Sequence, residues 1–300
     1  MKDRGEHLSP DDRIGDLLEH PAFAGFSRLI LPWDDRSYDT KMRLRHLDSL
    51  MPYHSHVKSD VVVGGLNHLI DDASAGRTVF YDVYTEAEKQ ADPSKRHTGL
   101  FFFRGTPHRR FALIAPGGGF QYVASIHEGF PYAMQIIEHG YNAFVLRYRV
   151  EDGGQGATED MAAALSFIFR HAVELGVSTQ HYSLWGSSAG ARMAALIGSH
   201  GAESFGGDAL SRPATVVMAY TGHADYAANE PPTFVAVGAQ DPIAPPSVMK
   251  RRVAALRKEG TDVEYCEFAN VGHGFGDGTG TSAAGWILSA IRFWEKQVHS

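Results

Sequence analysis

From about residue 78 to the end of the chain, short apolar runs alternate with segments whose apolar residues recur every three or four positions. Runs such as "FALIAP" are apolar almost throughout, as expected of strands covered on both faces of a sheet. The pattern predicts eight strands, at residues 78–84, 99–105, 111–116, 142–149, 181–186, 214–220, 233–238 and 263–268.

Amphipathic segments fill the gaps between these runs. In residues 158–175, Met161, Leu165 and Ile168 lie on one helical stripe that ends before Gly176. Further helices are predicted at residues 130–140, 189–200, 247–259 and within 282–298. This alternation predicts an α/β protein with a mostly parallel central sheet of about eight strands and helices on both faces. In such sheets, ligands bind beyond the carboxyl ends of the strands.

Residues 1–77 do not follow this alternation. Stretches such as "LMPYHSHVKSD" predict loops and short helices, and the polar beginning of the chain predicts disorder. We therefore predict two regions: an N-terminal extension over residues 1–77 that packs on the domain, and the main α/β domain over residues 78–300.

The composition is that of a globular protein and disfavours several partners. The 300 residues are 43% hydrophobic and carry a formal net charge of −7, with no basic run long enough to follow a phosphate backbone. Neither nucleic acid nor a membrane surface is expected as a partner. The single cysteine, Cys266, excludes an intrachain disulfide. Because the chain shows neither a signal peptide nor roughly 18 consecutive apolar residues, we expect a soluble, cytoplasmic protein.

The stretch "LWGSSAGARM" contains one G-x-S-x-G motif, with Ser188 at its centre between Gly186 and Gly190. It lies where a predicted strand meets a predicted helix. A sharp turn at such a junction exposes a nucleophilic serine, and the flanking glycines relieve the crowding of that turn. The motif alone also fits a glycine-rich turn without chemistry, so a nucleophile needs three further parts: a base, an acid that orients it, and donors for an oxyanion.

Candidates for these parts follow other predicted strands. Gly117, Gly118 and Gly119 end the strand "FALIAP", and their backbone N–H groups can face a substrate without side chains in the way. A phosphate loop is disfavoured because neither G-x-G-x-x-G nor a following Lys-Ser/Thr pair is present.

The acid and the base come later in the chain. Asp241 follows the strand "TFVAVG", with Asp225 as its main rival and Asp262 as a solvated loop residue. His273 lies in a glycine-flanked loop after the last strand. The chain order Ser188, Asp241, His273 is the order expected for a nucleophile on a strand-to-helix turn of an α/β sheet.

With these motifs, the region from about Phe80 to the C-terminus resembles an α/β-hydrolase. The pairing of "PGGGF" with "GSSAG" resembles the acetyl esterase and acetyl xylan esterase branch. The resemblance implies the α/β-hydrolase fold and a serine esterase that deacylates sugars and small alcohols. In this hypothesis the N–H groups of Gly118 or Gly119 and of Ala189 hold the oxyanion, and no metal or cofactor is required.

The chain departs from related esterases in two respects. Pro116 stands where many relatives have a histidine before the glycines, so support for the glycine loop must come from elsewhere. Too few residues lie between Ser188 and Asp241 for a helical cap, so we predict that the N-terminal extension covers the pocket. Phe120 and Tyr122 are candidate substrate contacts. His54 and His56 are expected in a loop or at the pocket rim rather than in a metal site.

The sequence therefore predicts a serine carboxylesterase that hydrolyses short-acyl, chiefly acetyl, esters, with sugar esters among its substrates. The expected partner is a small-molecule ester, and nothing in the sequence indicates an oligomeric state. Two alternatives remain open: a small peptidase or amide hydrolase on the same fold, and a non-catalytic ligand-binding protein.

Overall fold

The centre of the structure is a single eight-stranded sheet. The computed structural model describes residues 2–150 and 152–299. The strands are Phe80–Tyr81 (β1), Gly99–Phe103 (β2), Arg110–Ala115 (β3), Asn142–Arg147 (β4), Ser178–Ser187 (β5), Thr215–Ala219 (β6), Thr233–Gly238 (β7) and Val263–Phe268 (β8). They lie in the order β1-β2-β4-β3-β5-β6-β7-β8. The pairs β1–β2 and β2–β4 are antiparallel, and every pair from β4–β3 to β7–β8 is parallel.

Helices cover both faces of this sheet. The α-helices are Ile14–Leu18 (α1), Ser27–Ile30 (α2), Ser59–Ser74 (α3), Glu86–Ala91 (α4), Phe130–Glu138 (α5), Gln155–Arg170 (α6), Ala172–Leu175 (α7), Ala189–His200 (α8), Pro246–Lys258 (α9) and Trp286–His299 (α10). Apolar residues of α6, α8 and α9 pack in one core layer, and those of α3, α5 and α10 pack in the other. Within the described ranges, no helix combines the length and the apolar character needed to cross a bilayer.

The elements agree with the sequence pattern except at a few places. The strand predicted at 78–84 pairs only over Phe80–Tyr81, because Asp82 turns away to an ion pair with Lys89 and Tyr84 bonds Asp160. The single helix predicted over 158–175 is divided into α6 and α7 at His171. Both differences arise from local contacts that periodicity does not register.

The N-terminal segment contains a long helix that the sequence analysis missed. In α3, buried Val62, Leu66 and Leu69 follow helical spacing, but Gly64 and Gly65 interrupt the pattern and favour a loop interpretation. The prediction of a disordered start was also wrong: Leu8 is buried, and its N–H donates to a side chain of α3. The segment packs in the same core layer as α5 and α10, while the division at residue 77 stays a prediction.

The parallel strands place four loops at one edge of the sheet. β3, β5, β7 and β8 run in the same direction, so their carboxyl ends meet there. Gly117 follows β3, Ser188 follows β5, Asp241 follows β7 and His273 follows β8. The topology therefore brings the predicted chemical groups together although they are far apart in sequence.

Candidate active site

Ser188 lies on a tight turn between β5 and α8. Its backbone φ is +50°, a left-handed conformation that is strained for a residue with a side chain. The turn brings Gly186 and Gly190 into contact: a Cβ atom on Gly186 would lie 2.3 Å from the Gly190 carbonyl carbon. Both positions thus require glycine, and the turn holds the Ser188 side chain out beyond the sheet.

The structure brings the predicted serine, histidine and aspartate together. His273 Nε2 lies 2.9 Å from Ser188 Oγ, and His273 Nδ1 lies 2.7 Å from Asp241 Oδ2. Because a carboxylate only accepts hydrogen bonds, Nδ1–H donates to Asp241, which leaves Nε2 of a neutral ring free to accept the Ser188 proton.

Asp241 is itself held by the backbone. Its Oδ1 accepts hydrogen bonds from the N–H groups of Ile243 and Ala244, each at 2.8 Å, and its side chain is fully buried. The rival Asp225 is exposed, and Asp262 pairs with Lys296 on the surface. Of the three acids that the sequence offered, Asp241 is the one that contacts His273.

The predicted oxyanion donors lie next to Ser188 on the glycine loop and on α8. Within the described residues, the N–H groups of Gly118, Gly119 and Ala189 have no hydrogen-bond acceptor. Gly119 and Ala189 line a cavity beside Ser188, whereas Gly118 is buried and does not line it. The geometry therefore favours Gly119 over Gly118 as the partner of Ala189.

This active-site cavity has a volume of about 490 Å³ and is lined by loops that follow β3, β5, β6, β7 and β8. Among the described residues, none before Gly119 lines it, so the N-terminal segment does not form the predicted cover. The segment lies beside the glycine loop instead: a Cβ atom on Gly119 would lie 3.2 Å from the Tyr53 ring.

The two predicted substrate contacts differ. Phe120 lines the active-site cavity. Tyr122 does not line it, so that prediction was wrong: the side chain is fully buried, and its hydroxyl accepts a hydrogen bond from the Tyr53 N–H and contacts His54 Nδ1 at 2.8 Å. The side chains simply point in different directions, one toward the cavity and one into the core.

Among the cavity-lining side chains that were not predicted from the sequence are Arg192, His223 and Ile243. Arg192 lies one helical turn after Ser188, and that spacing was a usable signal. His223 is nearly buried, and burial, followed by the charge of Arg252, lowers its pKa to about 4, so its ring is neutral at neutral pH. Ile243 is exposed and adds an apolar wall.

A buried polar cluster contacts the glycine loop, and none of its members lines the cavity. Glu128, on a π-helical turn over Ser125–Gly129, is fully buried and accepts a hydrogen bond from the Gly117 N–H. Its other oxygen lies 2.7 Å from the Tyr220 hydroxyl and 2.9 Å from His54 Nε2. We call the following residues the rear cluster: His54, Tyr122, Glu128, Tyr132, Ser187 and Tyr220.

The rear cluster was not predicted from the sequence. His54 lies in a loop, as expected, but its side chain is buried against Glu128, while His56 is exposed. No group of three or more metal-binding side chains occurs in the described part of the chain. The usable signal for Glu128 was indirect: the chain lacks a histidine before its glycines, so another group must hold that loop.

A family model described as BD-FAE matches residues 111–219 of this chain. The match runs from β3 to the end of β6. It therefore includes the glycine loop and Ser188 but neither Asp241 nor His273. No match was found among curated proteins.

Solved structures resemble the chain over about two thirds of its length. The thermophilic esterase Est2 of the planctomycete Thermogutta terrifontis has a TM-score of 0.59 at 20% identity, over 67% of this chain and 88% of its own. MGS-M1, an α/β hydrolase from a Medee basin deep-sea metagenome library, has a TM-score of 0.58 at 25% identity, over 68% and 93%. A sugar hydrolase from Lactococcus lactis has a TM-score of 0.57 at 20% identity, over 67% and 95%. These likenesses confirm the fold class predicted from the sequence.

Proposed function

We propose that this chain, which has the α/β-hydrolase fold, is a serine carboxylesterase that hydrolyses short-acyl esters, chiefly acetyl esters and including those of sugars. The observation that carries the proposal is the hydrogen-bonded series from Ser188 through His273 to Asp241, at 2.9 Å and 2.7 Å. This series opens on a cavity beside two backbone N–H groups without acceptors. A nucleophile, a base, an orienting acid and oxyanion donors are what acyl transfer needs.

In the first half of the reaction, Ser188 Oγ attacks the ester carbonyl carbon while His273 Nε2 takes its proton. The N–H groups of Gly119 and Ala189 stabilise the negative charge that develops on the carbonyl oxygen. His273 then gives the proton to the leaving alcohol as the carbon–oxygen bond breaks, and an acyl-enzyme ester on Ser188 remains.

In the second half, His273 takes a proton from water, which attacks the acyl-enzyme. The same two N–H groups hold the second oxyanion, and the Ser188 oxygen leaves with the proton from His273. Asp241 accepts from Nδ1–H throughout, which keeps the ring in the required tautomer and stabilises its charged form. No cofactor is needed for either half.

The cavity lining supports short acyl groups. A long acyl chain needs an extended apolar channel. Among the described lining residues, Phe120 and Ile243 are the large apolar side chains, and the rest are small or polar. An acetyl group needs no more apolar surface than these two provide.

Polar lining groups support a hydroxylated alcohol. Thr221, His223, Asp225 and Arg192 surround the space beyond Ser188 and offer both donors and acceptors. Sugar hydroxyl groups pair with such a mixed set. The likeness to the Lactococcus lactis protein described as a sugar hydrolase agrees with this part of the proposal.

Hydrolysis of p-nitrophenyl esters from acetyl to octanoyl tests the proposal. We expect kcat/KM to fall steeply beyond butyryl, and Ser188→Ala to lower kcat by about a million-fold, as in other serine hydrolases. An amino-acid p-nitroanilide serves as the amide comparison. Faster cleavage of the anilide would replace the esterase proposal with a peptidase.

Paraoxon labelling gives a second readout that does not depend on the acyl group. Esterase 2 of Thermogutta terrifontis has been solved phosphorylated by paraoxon. We expect one phosphoryl adduct on Ser188 by peptide mass spectrometry, and none in Ser188→Ala. A wild-type protein that neither hydrolyses esters nor forms this adduct would contradict the proposed function and favour a non-catalytic binding protein.

A further inference from the structure

The rear cluster connects the N-terminal segment to both halves of the catalytic site. Glu128 accepts from the Gly117 N–H, two residues before the oxyanion donor Gly119. A Cβ atom on Gly117 would lie 2.8 Å from Glu128 Oε2 and 3.0 Å from Ser188 Cβ. The Glu128 carboxylate, the glycine loop and the nucleophile are therefore in direct contact, with no room for a solvent layer between them.

The segment that carries His54 also contacts the loop of the catalytic base. The N–H of Ser55 donates to the Gly274 carbonyl, and Ser55 Oγ donates to the His273 carbonyl, both at 2.9 Å. One residue earlier, His54 lies between the Tyr122 hydroxyl and Glu128, with its side chain 1% exposed. Tyr53–Ser55 thus contacts both the oxyanion loop and the base loop.

Burial of Glu128 needs a reason other than stability. A buried carboxylate is costly unless it is fully paired, and an apolar side chain of similar size is often no worse for stability. Burial raises the pKa of Glu128, but the nearby charge of His54 outweighs that effect and lowers the pKa to about 2. The carboxylate is therefore ionised at neutral pH, next to the place where an oxyanion forms.

From these contacts we propose that Glu128 and His54 are a positioning pair that holds the Gly117–Gly119 loop in the geometry that receives the oxyanion. The proposal rests on the proposed esterase function. Glu128 does not line the active-site cavity, so it acts on the reaction only through the glycine loop. It holds the Gly117 N–H, which fixes the direction of the Gly119 N–H. His54 Nε2 lies 2.9 Å from the carboxylate and keeps it in place.

This arrangement assigns a role to the N-terminal segment. Its residues Tyr53–Ser55 do not cover the pocket, but they hold two loops in place: the glycine loop and the loop that carries His273. It also explains how the glycine loop is supported although Pro116 stands where related esterases have a histidine. In this chain Glu128 supplies that support. Two parts of the chain that are distant in sequence supply this support together.

Variants Glu128→Gln and His54→Gln test the pair with p-nitrophenyl acetate as substrate. Misplacing an oxyanion donor should cost somewhat less than removing it, so we expect kcat to fall about 10- to 100-fold with KM changed less than about 3-fold. A trifluoromethyl ketone forms a hemiketal whose oxygen occupies the same N–H donors. Its inhibition constant should rise by the same factor as kcat falls.

The control is Ser183→Ala, which removes a fully buried hydroxyl on β5, the strand that precedes Ser188; this hydroxyl is bonded to Thr215 Oγ1 at 2.6 Å. We expect a lower Tm and an unchanged kcat. If Glu128→Gln fails to fold, Ser55→Ala provides the milder change, with an expected loss in kcat of about 3- to 10-fold at unchanged KM.

Several outcomes would overturn the pair while the esterase proposal stands: wild-type kcat in the variants, an unchanged inhibition constant for the ketone, or a kcat loss in Ser183→Ala as large as in Glu128→Gln. If the wild type hydrolyses no ester, the proposed function fails separately. The rate of Ser188 labelling by paraoxon then decides the pair, because its phosphoryl oxygen uses the same donors. Equal rates in wild type and Glu128→Gln, or no labelling at all, would overturn it.

Discussion

Two buried aspartates each hold a nitrogen group beside a cavity, but the two nitrogen groups differ in their chemistry. Asp241 accepts from His273, whose other nitrogen meets Ser188. Asp160 binds Arg149 and the Tyr84 hydroxyl beside a second cavity of about 560 Å³, larger than the active-site cavity. We call this the second cavity; it lies between α6, the start of α4 and the turn that ends at Gly207.

The two regions differ in whether the nitrogen group held by the aspartate keeps an atom that can accept a proton. All three nitrogens of the Arg149 guanidinium are bonded, to Asp160, to Asp92 and to the Gly156 carbonyl. Guanidinium is also charged at every working pH and cannot take a proton. His273 keeps one nitrogen that can accept a proton, and it faces a nucleophile. The proposed site is therefore distinguished by its free proton acceptor beside Ser188 and not by the size of its cavity.

Among the predicted variants, Asp241→Asn should cause the largest change at either aspartate, a loss of activity. An amide at this position favours the wrong imidazole tautomer, and we expect kcat for p-nitrophenyl acetate to fall about 10⁴-fold, as in other serine hydrolases. Asp262→Asn, at the surface acid that pairs with Lys296, is the matched control, with kcat expected within about 3-fold of wild type. A loss below 10-fold in Asp241→Asn would mean that another acid orients His273.

Acid should destabilise the folded protein through histidines buried near the proposed active site. Burial lowers the pKa of His127, behind the glycine loop, to about 4, against about 6.5 in the unfolded chain. Between these values the unfolded chain takes up a proton that the folded ring does not, so stability is lost as the pH falls. We expect the free energy of unfolding to drop by about 2 kcal/mol from pH 7 to pH 5 for this group, and His223 contributes with the same sign.

Urea unfolding of wild type and His127→Gln at several pH values measures this effect. The substitution should flatten the pH dependence, whatever it does to stability at pH 7. His171→Gln, at an exposed histidine that lines the second cavity, is the control and should keep the wild-type slope. A free energy of unfolding that does not change between pH 7 and pH 5 would contradict the expectation.

Tyr84→Phe should have the smallest effect and sharpen the contrast. It removes the 2.6 Å hydrogen bond to Asp160 and leaves Arg149 in place. We expect a loss of about 1–2 kcal/mol in the free energy of unfolding, with kcat/KM for p-nitrophenyl acetate unchanged. A tenfold loss of activity in a folded variant would show that the second cavity is coupled to the catalytic site.

Much of the fold could be predicted because it depends on local periodicity. Seven of the eight strands lie close to their predicted bounds, since buried parallel strands leave continuous apolar runs. The helix α3 escaped because Gly64 and Gly65 lower its helical signal, and its packing against α5 and the rest of the N-terminal segment stabilises it. Burial of the apolar stripe around Gly64 and Gly65 outweighs the low helix propensity of these two glycines.

The sequence by itself determined the alternation of strands and helices and the chain order of Ser188, Asp241 and His273, because both follow from neighbouring residues and from the direction of parallel strands. Only the tertiary structure decided that Asp241 rather than Asp225 meets His273, that Gly119 rather than Gly118 reaches the cavity, and that Tyr122 points into the core. The tertiary structure also joined His54 to Glu128. Such contacts depend on where separate loops meet in space, and the local sequence pattern does not specify this.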